Sequence, residues 1–216
     1  MMKKKIMAIF AIAGLMLAAF LLRYVVVGGG VIALFSWMYE QSEIEENTDI
    51  SLYNQFMGEN AEEEYRSKCG MDESIFPKSI TEDMKVQDYK MVYYNPWDPQ
   101  YLSYLVVEYD EEQYKAEVER LKAYPSEEYL GIYSVTGFDE KYELLAMNSD
   151  QYYGFVYALT DNQNTIIYVE LIFCNYFMDL DYKEYIMEEY LPIGFDATLD
   201  NPYEQKMMGE QDTSLF

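Results

Sequence analysis

The hydrophobic pattern changes character sharply along the chain. Residues 6–22 form an uncharged apolar run preceded by Lys3, Lys4 and Lys5; Arg23 interrupts it, and a second apolar run covers residues 24–38. A soluble helix keeps a polar face, and this stretch has none. A hydrocarbon core of about 30 Å takes roughly 20 apolar helical residues, with about 17 as the lower limit. Residues 6–22, extended through Val25, Val26 and Val27, therefore predict a membrane-spanning helix. Starting the span at Ile6 leaves Arg23 near the far interface, where a long side chain reaches the head groups. The lysines mark the cytoplasmic side, and the opposite flank carries Glu40, Glu43, Glu45, Glu46 and Asp49, so the remainder of the chain is expected to face outward. The alternative is a cleaved secretory signal, whose apolar region usually runs about 7–15 residues. The longer run here, with no clean small-x-small site beside it, points to an uncleaved, single-pass signal-anchor.

Beyond the membrane segment the spacing of apolar residues predicts an α+β domain with a mainly antiparallel sheet and two or three helices. Ile50, Tyr53, Met57, Ala61 and Tyr65 recur every three to four residues and predict an amphipathic helix over residues 49–68, with Gly58 as its weak point. Residues 84–94 and 101–109 read as strands around the turn Asn95-Pro96-Trp97-Asp98-Pro99. A helix is expected over residues 110–124: Asp110 and Gln113 start it, Tyr114, Val118 and Leu121 form its stripe, and Pro125 ends it. Four short segments follow, at residues 131–138, 142–147, 152–160 and 165–175. The last is apolar on both faces and is expected near the centre of the sheet. A closing helix is predicted over residues 181–191. The organisation is then a cytoplasmic and membrane-anchoring part (residues 1–39), a helical or loop connector (40–74), an α+β ectodomain (75–196) and a polar tail (197–216).

Charge separates the parts further. Four of the fifteen basic residues lie in the first 23 positions, leaving eleven against all thirty-nine acidic residues and a net charge of −28 for residues 24–216. Such a domain repels nucleic acid and anionic lipid and suits a basic protein or a cell-wall partner, although a merely soluble surface has the same composition.

Histidine is absent, which removes the His-dependent nucleophile systems and every His-containing metal site. No phosphate-binding loop or nucleophile elbow is present, and no cofactor is indicated. What remains for catalysis is a carboxylate pair of the kind that cleaves glycans, with no particular pair marked out. Calcium ligation could draw on Asp179, Asp181 and Glu184, or on Asp196, Asp200 and Asn201, though neither group follows a calcium-loop spacing. The twenty-four tyrosines are the strongest compositional bias, and Tyr93, Tyr94, Trp97 and Tyr101 cluster around one turn as a candidate binding surface. The same residue type also fills half-buried strand positions. Cys69 and Cys174 could pair in an oxidising compartment, closing a loop of about 105 residues, or remain thiols, with Cys174 as a small core hydrophobe.

Ile75-Phe76-Pro77, Asn95-Pro96-Trp97-Asp98-Pro99, Tyr109-Asp110-Glu111-Glu112 and Leu191-Pro192-Ile193-Gly194-Phe195 together resemble uncharacterised membrane-anchored proteins of Gram-positive gut bacteria. The resemblance implies a bacterial cell-surface location and carries no functional residues. The sequence therefore predicts a membrane-anchored extracytoplasmic binding domain. A carboxylate-dependent hydrolase of cell-wall glycans and a calcium-dependent structural module are the alternatives.

Overall fold

Period-two alternation builds one sheet. The computed structural model describes residues 43–58 and 60–213. Strands β1 (Glu45–Asn47), β2 (Lys85–Tyr94), β3 (Gln100–Glu108), β4 (Glu143–Asp150), β5 (Gly154–Thr160) and β6 (Thr165–Ile172) pair in the order β1-β2-β3-β6-β5-β4, with every neighbouring pair antiparallel. Turn chemistry explains the hairpins. Two prolines punctuate the β2–β3 connection, and Asn162 and Asn164 adopt left-handed φ of 59° and 72° between β5 and β6.

The doubly apolar β6 lies beside β3 in the middle of the sheet, as its pattern predicts. Its Ile167, Val169 and Leu171 enter one core with Tyr104, Phe155 and Tyr157, while Ile166, Tyr168 and Ile172 enter a second core with Leu105, Val107 and Ala158. Both faces are covered, so the domain has three layers. The chain after β6 lies over the first face. Its contributions include Met178, Tyr182, Ile186 and Phe195, joined there by Tyr133 from the chain before β4. The second face is covered by residues 50–76 and by one long helix.

That helix is α3 (Glu111–Lys122), preceded in the chain by the single turns α1 (Tyr53–Phe56) and α2 (Glu63–Arg66). Asp110 caps it by accepting from the backbone N–H groups of Glu112 and Gln113, a contribution of about 1 kcal/mol. Lys115 pairs with Glu111 at 2.6 Å, and Leu121 is fully buried.

Several expectations are corrected. The helix expected over residues 49–68 is instead 3-10 turns and the single turns α1 and α2, because Gly58 turns the chain at φ 79°. Its stripe is nevertheless correct in burial, since Tyr53, Met57, Ala61 and Tyr65 are all in the core. This segment and β1 are thus integral to the domain, which extends from Ile44 as one compact unit, rather than a connector ahead of residue 75. Residues 131–138 form no strand; Gly131, Tyr133 and Ser134 all take left-handed φ, and only Gly137 bridges to Ile193. The closing helix breaks into α4 (Tyr182–Tyr185) and a 3-10 turn at Glu188–Tyr190. The polar tail contains a helix, α5 (Pro202–Thr213), whose Tyr203 ring lies 4.7 Å from that of Tyr133.

The predicted membrane span, its lysines and Arg23 lie outside the described residues. Among the described residues no helix is long and apolar enough to cross a membrane.

Candidate functional site

Two left-handed turns meet at one end of the sheet. In the layer covering the second face, Lys68 and Cys69 take φ of 41° and 51° ahead of Gly70. Just past β6, Asn175 and Tyr176 take φ of 60° and 70°, folding the chain so that Cys174 bridges to Phe177. Left-handed backbone costs a residue with a side chain roughly 1–2 kcal/mol, so these four non-glycine residues need compensation. The first turn receives it by aiming Lys68 and Cys69 inward.

Lys68 is only 1% exposed and Glu170, in the middle of β6, is 0% exposed. The Lys68 ammonium donates to both carboxylate oxygens of Glu170, at 2.8 and 3.1 Å, and sits 4.7 Å from the centre of the Tyr101 ring. Ser103, opposite Glu170 in the β3–β6 register, donates its hydroxyl to the same carboxylate at 2.6 Å. A second carboxylate, Glu73, approaches Lys68 at 4.0 Å. Burial holds Glu73 above the ordinary carboxylate range, and Lys68 offsets only part of that. Lys68, Ser103 and Glu170 are enclosed in protein, so the pair fastens the covering layer to the sheet.

Beside it, the sulfurs of Cys69 and Cys174 lie 3.4 Å apart as free thiols. The hydrogen bond shared with Cys174, and then burial, push the Cys69 thiol up. The same hydrogen bond holds Cys174 below its ordinary value, against the opposing effects of burial and of Asp98. The predicted pair is therefore brought together, as two thiols.

Cys174 also lines a cleft of about 470 Å³. The β4–β5 turn supplies Tyr152 and Tyr153, which are 39% and 37% exposed. Tyr176 is buried beneath them, its ring 5.1 Å from that of Tyr152. Asn175 and Asp98 complete the polar side, with the Asn175 amide donating to the Asp98 carboxylate at 2.5 Å. Gly154 makes the turn close: it takes φ 91°, and a Cβ there would stand 2.2 Å from the Leu171 carbonyl oxygen.

The tyrosine surface predicted around residues 93–101 is not assembled. Tyr101 and Tyr94 are buried, on opposite faces of the sheet. Tyr93 is half-buried and stacks between Tyr65 and Tyr101, at 5.1 and 5.2 Å. Trp97 is 51% exposed. Strand alternation explains the outcome, since Tyr93 and Tyr101 are cross-strand partners that pack on one another beneath the covering layer. Sequence reasoning missed Tyr152, Tyr153 and Tyr176. Their signal was two adjacent tyrosines in an Asp-rich turn, which is weak by itself.

The calcium groups are not assembled either; among the described residues no three acidic or thiol side chains converge on a possible cation position. Asp179 hydrogen-bonds to Gln100, Asp181 caps α4, and the amide of Asn201 is committed to the Tyr176 and Thr198 carbonyls. A second concavity, of about 830 Å³, runs along residues 188–196 and carries Asp139, Glu188, Glu189 and Asp196.

No protein-family model matches the chain, and no curated protein or solved structure is similar to it.

Proposed function

We propose that the chain is a single-pass, membrane-anchored protein whose acidic domain faces outward and binds a neutral glycan of the cell envelope in the Tyr152–Tyr153–Tyr176 cleft. The cleft carries this reading: two half-exposed rings stand over a third, beside an amide and a carboxylate that can share sugar hydroxyls. The apolar run of residues 6–22 and the lysines ahead of it support the anchor and its orientation. The excess of carboxylates supports a neutral ligand over anionic wall polymers, which that charge repels.

Binding has more support than hydrolysis. Among the described residues Glu170 is the one fully buried acid, and it is neutralised by Lys68 and enclosed by protein. A glycan-cleaving pair instead needs two carboxyl groups about 5–9.5 Å apart across an open cleft.

The test is a calorimetric titration of the full-length chain in detergent with an uncharged N-acetylglucosamine tetramer. Binding is expected to survive high salt and to weaken about tenfold in Tyr153→Ala, the loss typical of an aromatic anchor. No heat of binding from the wild-type protein would sink the reading. The carboxylates of the larger groove favour a second reading, capture of a cationic peptide. Binding of a lysine-rich peptide that high salt abolishes, with none of the tetramer, would establish that one instead.

A further inference from the structure

The thiol pair lies where two chain segments distant in sequence are forced into unusual backbone to meet. Cys69 belongs to the covering layer and Cys174 to the end of β6, 105 positions apart. Cys174 lines the Tyr152–Tyr153 cleft. Cys69 lies against Cys174 and is half-buried like it, held by the turn that also sends Lys68 to Glu170. Both cysteines are half-buried, and Cys174 is the one of the two that lines the cleft, with the Cys69 sulfur placed directly against its own.

We propose that Cys69 and Cys174 form a dithiol exchange site, in which Cys174 attacks a disulfide entering the cleft and Cys69 resolves the product. In the first step the Cys174 thiolate forms a bond to one sulfur of the incoming disulfide. The substrate S–S bond breaks, and its other half leaves as a thiolate that takes up a proton. In the second step Cys69 gives its proton to solvent and attacks the Cys174 sulfur, releasing the remaining half as a thiol. Two electrons pass from the protein dithiol to the substrate, one disulfide is reduced to two thiols, and a Cys69–Cys174 bond remains. The substrate class is a small disulfide or the exposed disulfide of an oxidising protein, as found outside the cytoplasm. The lowered pKa of Cys174 fits its place as the attacking sulfur, since the thiolate is the nucleophile. Oxidation also has a mechanical result, because the new bond ties the covering layer to the sheet beside the Lys68–Glu170 pair.

The inference rests on the proposed function only for the compartment in which oxidants are met. Its test is independent of glycan binding. The reduced full-length chain in detergent is mixed with bis(2-hydroxyethyl) disulfide, an uncharged probe that the acidic domain does not repel, and followed by intact mass and peptide mapping. Wild-type protein should lose two hydrogens and carry no adduct. Cys69→Ser should stop at one adduct on Cys174, and Cys174→Ser should label Cys69 at least tenfold more slowly. The oxidised wild-type protein should melt roughly 10 °C above the reduced form, as expected for closing a loop of about 100 residues. Equal labelling rates in the two variants, or a wild-type adduct that never resolves, would overturn the proposal. Glycan binding that fails while exchange proceeds would remove the ligand reading and leave this one standing.

Discussion

Replacing Lys68 with methionine should lower the unfolding free energy by about 3–5 kcal/mol, the cost of stranding one member of a buried ion pair. The melting temperature should fall by roughly 10 °C. Methionine matches the length and much of the volume of the lysine stem, so the loss isolates the charge. Glu170 would remain at the centre of the sheet with only the Ser103 hydroxyl donating to it. Removing both charges, as in Lys68→Met with Glu170→Leu, should recover most of the loss, because a packed apolar pair at such a site is close to neutral or better. The contrast with Lys115→Met is diagnostic. The Lys115–Glu111 pair is equally short but solvated on both sides, and its loss should cost well under 1 kcal/mol. Thermal melts of these three variants beside the wild type measure this directly. A Lys68→Met protein as stable as wild type would mean that the covering layer is not anchored through Glu170.

Gly154→Ala should be comparably severe, at roughly 3 kcal/mol or more. Two costs combine: a side chain at φ 91°, worth about 1–2 kcal/mol, and overpacking, typically about 1–3 kcal/mol. Relief is hard to find, because the nearest atom is the backbone carbonyl oxygen of Leu171 on the central strand and the next, at 2.6 Å, belongs to the buried Phe173 ring. The strain falls on the turn that presents Tyr152 and Tyr153, so glycan affinity should drop even in protein that remains folded. Alanine at Gly70 is the control, since no heavy atom stands within 4 Å of a Cβ there. Denaturant melts of both variants separate the contact from the backbone term. A Gly154→Ala midpoint matching that of Gly70→Ala would contradict the packing described for this turn.

Strands β2 to β6 were legible in the sequence because alternation is a local signal that burial enforces, whereas the short β1 was not and residues 131–138 carried a strand pattern without forming one. The two-faced apolar pattern of β6 placed it centrally, and Asp110 with Gln113 marked the start of α3. The covering layers were not legible in the same way. Tyr53, Met57, Ala61 and Tyr65 have helical spacing and are buried, yet the chain between them turns at Gly58 and reaches the sheet in single helical turns. Tertiary burial satisfied the pattern without requiring a continuous helix. In residues 181–191 the same competition leaves Tyr182, Ile186 and Tyr190 buried from two separate turns.

The candidate site was legible only in part. Proximity of Cys69 and Cys174 was one of the alternatives that two cysteines allow, whereas the role of Lys68 depends on a partner 102 positions away. One residue did carry a signal. Glu170 lies in the run Tyr168-Val169-Glu170-Leu171-Ile172, and a carboxylate inside a doubly buried strand demands a cation. Tyrosine density misled around residues 93–101 because hairpin register stacks those rings together, and density alone does not distinguish packing from an open face.

If the chain is anchored as proposed, which molecules can reach the cleft depends first on the side of the membrane that the domain occupies. Intact cells producing the full-length chain with a C-terminal tag should be exposed to an impermeant protease, with a cytoplasmic protein as control. The account predicts that the tag is lost while the control survives; a tag protected until the membrane is permeabilised would contradict the outward orientation and with it the envelope glycan as ligand.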